Sequence, residues 1–127
     1  MKIGDIVEFE RTFTEKDIHL FTRVSGDAGV HHVTPDEQGR LMVQGLLTAT
    51  LPTKVGGDLN FIARDMVFHF VRPVFAGDTI RCLVTITALE QLDELARMSC
   101  QWVCRNQHGK EVLTGEAHGV IRGQSRA

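Results

Sequence analysis

The chain has 127 residues, 43% of them hydrophobic and 24% charged, and its 14 Lys and Arg against 16 Asp and Glu leave a formal net charge of −2. That length supports one hydrophobic core and is short for two, and the charge balance gives no electrostatic footprint for a polyanion such as nucleic acid. The longest apolar run, Ile80 to Leu89, is broken by Arg81, Thr85 and Thr87, far from the roughly 20 apolar residues of a membrane-spanning helix.

From the N-terminus, Met1-Lys2-Ile3-Gly4-Asp5 reaches an acidic residue before any apolar stretch, so no secretory signal is read and a cytoplasmic location is expected. Asp5 to Phe13 alternates Ile6, Glu8 and Glu10 with Val7, Phe9 and Arg11, the pattern of a short strand with one apolar face. Thr14 then stands as N-cap of a helix over Glu15 to about Val24, with Asp17 completing a capping-box arrangement and Ile18, Phe21 and Val24 at helical spacing. Ser25-Gly26-Asp27 stops that helix.

After an irregular stretch with Pro35 and Gly39, Leu41 to Val55 is apolar nearly all round, through Leu46, Leu47, Leu51 and Val55 with small Gly45 and Ala49. It reads as a buried helix, kinked or cut short at Pro52. Asp65 to Pro73, Thr79 to Leu89, Ala96 to Arg105 and Val112 to Ile121 are β-branched-rich segments between turn signals, and read as strands. The turns are Phe75-Ala76-Gly77-Asp78, the acidic stretch at Asp93 and Glu94, and Asn106 to Lys110.

These elements predict an α+β domain over residues 1–122, an antiparallel sheet of about five strands wrapped around one central apolar helix, with a frayed tail at 123–127. A sheet of this kind leaves a long edge, and a second copy is the simplest cover, so a homodimer or a dimer of dimers is expected. Cys82, Cys100 and Cys104 are odd in number and fall in strands, which reads as free buried thiols. His19, His69, His108 and His118 fall on a helix face, two strands and a hairpin tip, with no Asp or Glu at metal-binding spacing, so no metal and no cofactor is expected.

The chemistry-bearing stretch is Ser25-Gly26-Asp27-Ala28-Gly29-Val30-His31-His32, in which a carboxylate and an imidazole follow a helix stop five residues apart. In an irregular turn that spacing lets Asp27 and His32 share one small molecule, an acceptor beside a group that exchanges protons near neutral pH. Equally, Asp27 can brace the turn and the histidines can be solvated. Gly45 opens the apolar helix, where a bare N–H at the positive end of the helix dipole suits a developing negative charge, or where a glycine simply lets helix and sheet pack closely.

Taken together, Ser25, Gly26, Asp27 and His32, then Gly39, Arg40, Val43 and Gly45, resemble the signature of the MaoC-like hydratases, a family that includes the (R)-specific enoyl-CoA hydratases and has the hot-dog fold. Phe70-Val71-Arg72-Pro73-Val74, Gly77-Asp78-Thr79, Asn106-Gln107-x-Gly109 and Gly115-x-Ala117 extend the resemblance over nearly the whole chain. The resemblance implies Asp27 and His32 as a hydratase dyad, the Gly45 N–H as oxyanion donor, and Thr53 near a site-orienting hydroxyl. It implies water addition to a trans-2-enoyl-CoA, in reverse dehydration of an (R)-3-hydroxyacyl-CoA, with the coenzyme A thioester as substrate.

Gly29 and Val30 replace the family's usual Asn and Pro, and Gln44 its usual His, changes that bear on substrate binding. A thioesterase on the same fold, or an acyl-CoA-binding domain without turnover, are the competing readings.

Overall fold

A computed structural model describes residues 1–122; the expected frayed tail at 123–127 lies outside the described residues. Strand β1 (Ile6–Thr12) leads through Thr14 into α1 (Glu15–Ser25). The capping box forms as the sequence dictates: the Thr14 hydroxyl accepts the Asp17 N–H at 3.2 Å and the Asp17 carboxylate accepts the Thr14 N–H at 2.9 Å. At the other end Gly26 takes φ +78° and returns its N–H to the Thr22 carbonyl at 2.9 Å. Ile18 is the buried anchor of this helix; Val24, in its last turn and at helical spacing from Ile18 and Phe21, is 86% exposed.

The apolar segment departs most from expectation. Leu41 to Val43 runs extended, with the Val43 N–H donating to the Val74 carbonyl, and the helix begins only at Gly45. It is interrupted at Ala49 into α3 (Gly45–Thr48) and α4 (Thr50–Asp58), following the short turn α2 (Val30–Val33). Pro52 carries no N–H for the Thr48 carbonyl, four residues back, so the break falls one turn ahead of the proline rather than at it. Leu47, Leu51 and Val55 are buried while Leu46 is 58% exposed, so the helix has one buried side rather than apolar burial all round.

Four more strands, β2 (Phe61–Phe70), β3 (Thr79–Gln91), β4 (Leu95–Arg105) and β5 (Glu111–Arg122), complete one antiparallel sheet in the order β1-β3-β4-β5-β2. β2 starts four residues before the expected Asp65 and ends at Phe70, releasing Val71 to Pro73 into the loop that returns toward α3. Along β3 and β4 the inward positions Cys82, Val84, Ile86, Met98, Cys100 and Trp102 are buried against Leu47, Leu51 and Val55, so the sheet closes around the broken helix. All three cysteines are free and buried, with Cys82 directly opposite Cys104 across the ladder.

Among the described residues no helix is long and apolar enough to cross a membrane, and no group of three or more His, Cys, Asp and Glu stands close enough to hold a metal ion.

Candidate active site

The loop that leaves α1 is pinned before it reaches the first candidate residue. Ser25 Oγ donates to the Phe21 carbonyl at 2.7 Å and accepts the Asp27 N–H at 3.0 Å; Asp27 Oδ1 accepts the Gly29 N–H at 3.2 Å. This turn leaves Asp27 Oδ2 free to face the ring of His32, whose Nε2 lies 3.5 Å away. The carboxylate is half exposed, whereas the imidazole is 5% exposed. Asp27 and His32 are therefore brought together, and the agent is the single turn α2 that follows Gly29.

The other ring nitrogen fixes the tautomer. His32 Nδ1 lies 2.7 Å from the Met42 carbonyl oxygen. A carbonyl can only accept, so Nδ1 carries the proton and, in the neutral ring, Nε2 presents a lone pair to Asp27. The Met42 N–H in turn donates to the His31 carbonyl at 3.0 Å, which ties this extended segment to α2 from both sides. Nothing in a one-dimensional reading points to Met42, because its contribution is a backbone carbonyl.

His32 and Gly45 share the wall of a cavity of about 370 Å³, with Thr48, Phe70, Arg72 and Pro73 among its other lining residues. Asp27 is not part of that wall and joins it through His32. As the first residue of α3, Gly45 has an N–H with no intrahelical acceptor. His31 also lines the cavity, its ring 3.9 Å from that of His32 and tilted by 57°. On this helical turn the two side chains are about 100° apart and touch.

The remaining candidates fall elsewhere. Gln44 is buried behind Gly45, its Nε2 donating to Thr22 Oγ1 at 2.8 Å with longer contacts to the carbonyls of Ile18 and Asp27, and its Oε1 has no partner among the described residues. It braces the Asp27 turn against α1 instead of lining the cavity. Val30 is 71% exposed, and Gly29 packs between the side chains of Asp27, His31 and His32.

Thr53 bonds its hydroxyl to the Ala49 carbonyl at 2.9 Å and lines a different, largely apolar cavity of about 300 Å³ between α4 and the sheet. The i−4 carbonyl captures its O–H and the helix turns it away from His32. No role was read from the sequence for Thr48, three positions after Gly45 on one helix face, and Phe70, part of the resembling run from 70 to 74, carried no sign there that β2 brings it to Gly45.

No protein-family model matches the chain. It is 29% identical to the (R)-specific enoyl-CoA hydratase of Rhodospirillum rubrum over 131 residues, covering 95% of this chain and 88% of that protein. A mitochondrial 3-hydroxyacyl-[acyl-carrier-protein] dehydratase of Arabidopsis thaliana is 26% identical over 129 residues, covering 95% of this chain and 78% of the relative. Among solved structures, the (R)-hydratase from A. caviae involved in PHA biosynthesis superposes with a TM-score of 0.80 at 26% identity, covering 96% of this chain and 97% of that one.

The chain is similar to (R)-specific hydratases and 3-hydroxyacyl dehydratases of the MaoC-like type. Its five-stranded sheet around a broken helix is the hot-dog fold. The turn from Ser25 to His32 and the helix start at Gly45, which carried the resemblance in the sequence, lie side by side in space.

Proposed function

We propose that the chain adds water to trans-2-enoyl thioesters of coenzyme A, and in reverse dehydrates (R)-3-hydroxyacyl thioesters, with Asp27 and His32 as the acid–base pair and the Gly45 N–H as donor to the thioester oxygen. The observation that carries this reading is the 3.5 Å approach of Asp27 Oδ2 to a His32 Nε2 whose proton is held on the opposite nitrogen by Met42. Two acceptors at that separation can each lie about 2.8 Å from one water oxygen and receive both of its hydrogens.

The steps follow from that arrangement. As the water oxygen bonds to C3, one water proton passes to Nε2 or to Oδ2 and the C2–C3 π pair moves toward the thioester oxygen. The enolate oxygen so formed is held by the Gly45 N–H at the positive end of α3. The proton taken from water is then returned to C2, so one molecule of water is added in all. Because Nδ1–H stays on the Met42 carbonyl, all proton traffic runs on the Nε2 side, and an imidazolium there is stabilised by the adjacent carboxylate.

A homodimer belongs to the same reading. Among the described residues β2 is an edge strand paired with β5 alone, and it exposes Ile62, Met66, Val67 and Phe70 beside its open backbone edge, which a second copy covers. Met66→Lys is expected to shift the sedimentation coefficient to that of a monomer.

The deciding assay follows the ultraviolet absorbance of crotonyl-CoA and of a longer trans-2-enoyl-CoA with the parent chain, Asp27→Asn and His32→Ala. Water addition by the parent, lowered about 10²- to 10⁴-fold in both variants with the circular dichroism spectrum retained, is the expected result. Release of free thiol by the parent instead makes the chain a thioesterase, and binding with neither reaction makes it an acyl-CoA-binding domain.

A further inference from the structure

The helices of the described chain carry five Ser and Thr side chains, at Thr22, Ser25, Thr48, Thr50 and Thr53. Four of them donate their hydroxyl to a carbonyl three or four residues back: Thr22 to Ile18 at 2.8 Å, Ser25 to Phe21 at 2.7 Å, Thr50 to Leu47 and Thr53 to Ala49. That is the ordinary fate of a short hydroxyl on a helix. Thr48 is different. Its hydroxyl has no hydrogen-bond partner among the described residues, and the Gln44 carbonyl behind it is taken by the N–H groups of Leu47 and Thr48 at 3.0 and 3.1 Å.

Thr48 is only 3% exposed as a residue, yet its oxygen is not among the enclosed polar atoms left without a partner, which are Gln44 Oε1 and Trp102 Nε1. Its free hydroxyl therefore opens into the space the residue lines, the cavity shared with Gly45 and His32. Three residues after Gly45, Thr48 stands on the same helix face, and its Cα–Cβ bond tilts toward the helix N-terminus, back toward the Gly45 N–H. A single backbone donor at a helix start is thus accompanied by a second donor with nothing else to bind.

We propose that the Thr48 hydroxyl is a second donor to the thioester carbonyl oxygen, joining the Gly45 N–H to make a two-donor oxyanion site. The inference rests on the hydratase reading above. As charge moves onto the oxygen at water addition, both donors tighten on it, so the hydroxyl contributes more in the transition state than in the bound substrate.

The test compares the parent with Thr48→Val, which keeps the branched shape and removes the hydroxyl, and Thr48→Ser, which keeps the hydroxyl. Two readouts are taken: kcat and KM for water addition to crotonyl-CoA, and the fraction of bound acetoacetyl-CoA held as its enolate, seen by the enolate ultraviolet band. Valine is expected to lower kcat about 10²-fold with little change in KM and to reduce the enolate fraction, while serine stays close to the parent in both.

The proposal is overturned if valine matches the parent, if valine raises KM alone, or if serine is as impaired as valine while both remain folded. If the parent binds acetoacetyl-CoA as the enolate without adding water to crotonyl-CoA, the hydratase reading fails and the enolate fraction in the two variants still decides the role of Thr48. If the parent binds neither thioester, both are overturned.

Discussion

The ring of Phe70 lies so close to the α-carbon of Gly45 that a Cβ placed there would stand 2.7 Å from Cε1 and 2.9 Å from Cδ1. β2 thus delivers an aromatic edge onto the helix start, and only a residue without a side chain admits it. Phe70 is 55% exposed, so an added methyl group can push the ring aside at small cost in stability.

Gly45→Ala is accordingly expected to fold with its unfolding free energy within about 1 kcal/mol of the parent. Its activity should fall, because the displaced ring enters the shared cavity. Removing the ring as well, in Gly45→Ala with Phe70→Ala, should recover part of that loss. A double-mutant cycle on kcat/KM checks this, with a coupling of about 1 kcal/mol or more expected for groups in direct contact.

His32 has a structural half and a chemical half, and substitutions can separate them. Alanine strips the donor from the Met42 carbonyl and should cost about 1–3 kcal/mol in urea unfolding, the usual penalty for a buried polar group left unpaired. His32→Asn carries an amide N–H able to reach toward that carbonyl, and should recover part of the stability while remaining as inactive as alanine. Equal stability of the two variants would remove the Met42 bond as the anchor of the ring.

Gln44 combines one good hydrogen bond with one orphaned oxygen. Gln44→Met should change stability by less than about 1 kcal/mol, because the lost bond to Thr22 is offset by removal of the unpaired Oε1. Activity should drop further than stability, since the brace between α1 and the Asp27 turn is gone. Gln44→Glu puts a carboxylate among the carbonyls of Ile18 and Asp27 and should be strongly destabilised at neutral pH, recovering as the medium is acidified. Thermal unfolding across pH distinguishes the two.

The buried thiols predict an alkaline limit. Contact with the Cys82 thiol, together with burial, pushes Cys104 well above the ordinary value of 9.0, and burial pushes Cys100 up as well. Above pH 9 the unfolded chain therefore releases protons that the folded chain keeps, and unfolding becomes progressively easier. The contribution is fully present below that pH and is lost above it. Urea midpoints should decline through this range, with a shallower decline in Cys104→Val. At neutral pH iodoacetamide should label the folded protein far more slowly than the unfolded one, since the thiolate is the reactive form.

Residues whose partners are near in sequence revealed themselves there. The capping box of Thr14 and Asp17, the glycine stop at Gly26, the alternating burial of β3 and β4, and the five-residue step from Asp27 to His32 each rest on a local pattern of short range. Local periodicity also hid something: the apolar run from Leu41 to Val55 looked like one helix, because hydrophobicity cannot tell an extended apolar segment such as Leu41 to Val43 from the first turn of a helix.

What the folded chain alone decided was set by contacts distant in sequence. Met42 orients His32 across ten residues, Gln44 ties itself to Thr22 across 22, and Phe70 closes on Gly45 from the edge strand. The choice of Thr48 over Thr53 as the hydroxyl beside Gly45 belongs here too. Both are threonines of one apolar segment, and which of them keeps a free hydroxyl is set by the groups around it, the Ala49 carbonyl having taken the Thr53 proton. A linear pattern records which residues can share a face, but the free partner of a hydroxyl or a carbonyl depends on which groups the rest of the fold has already claimed.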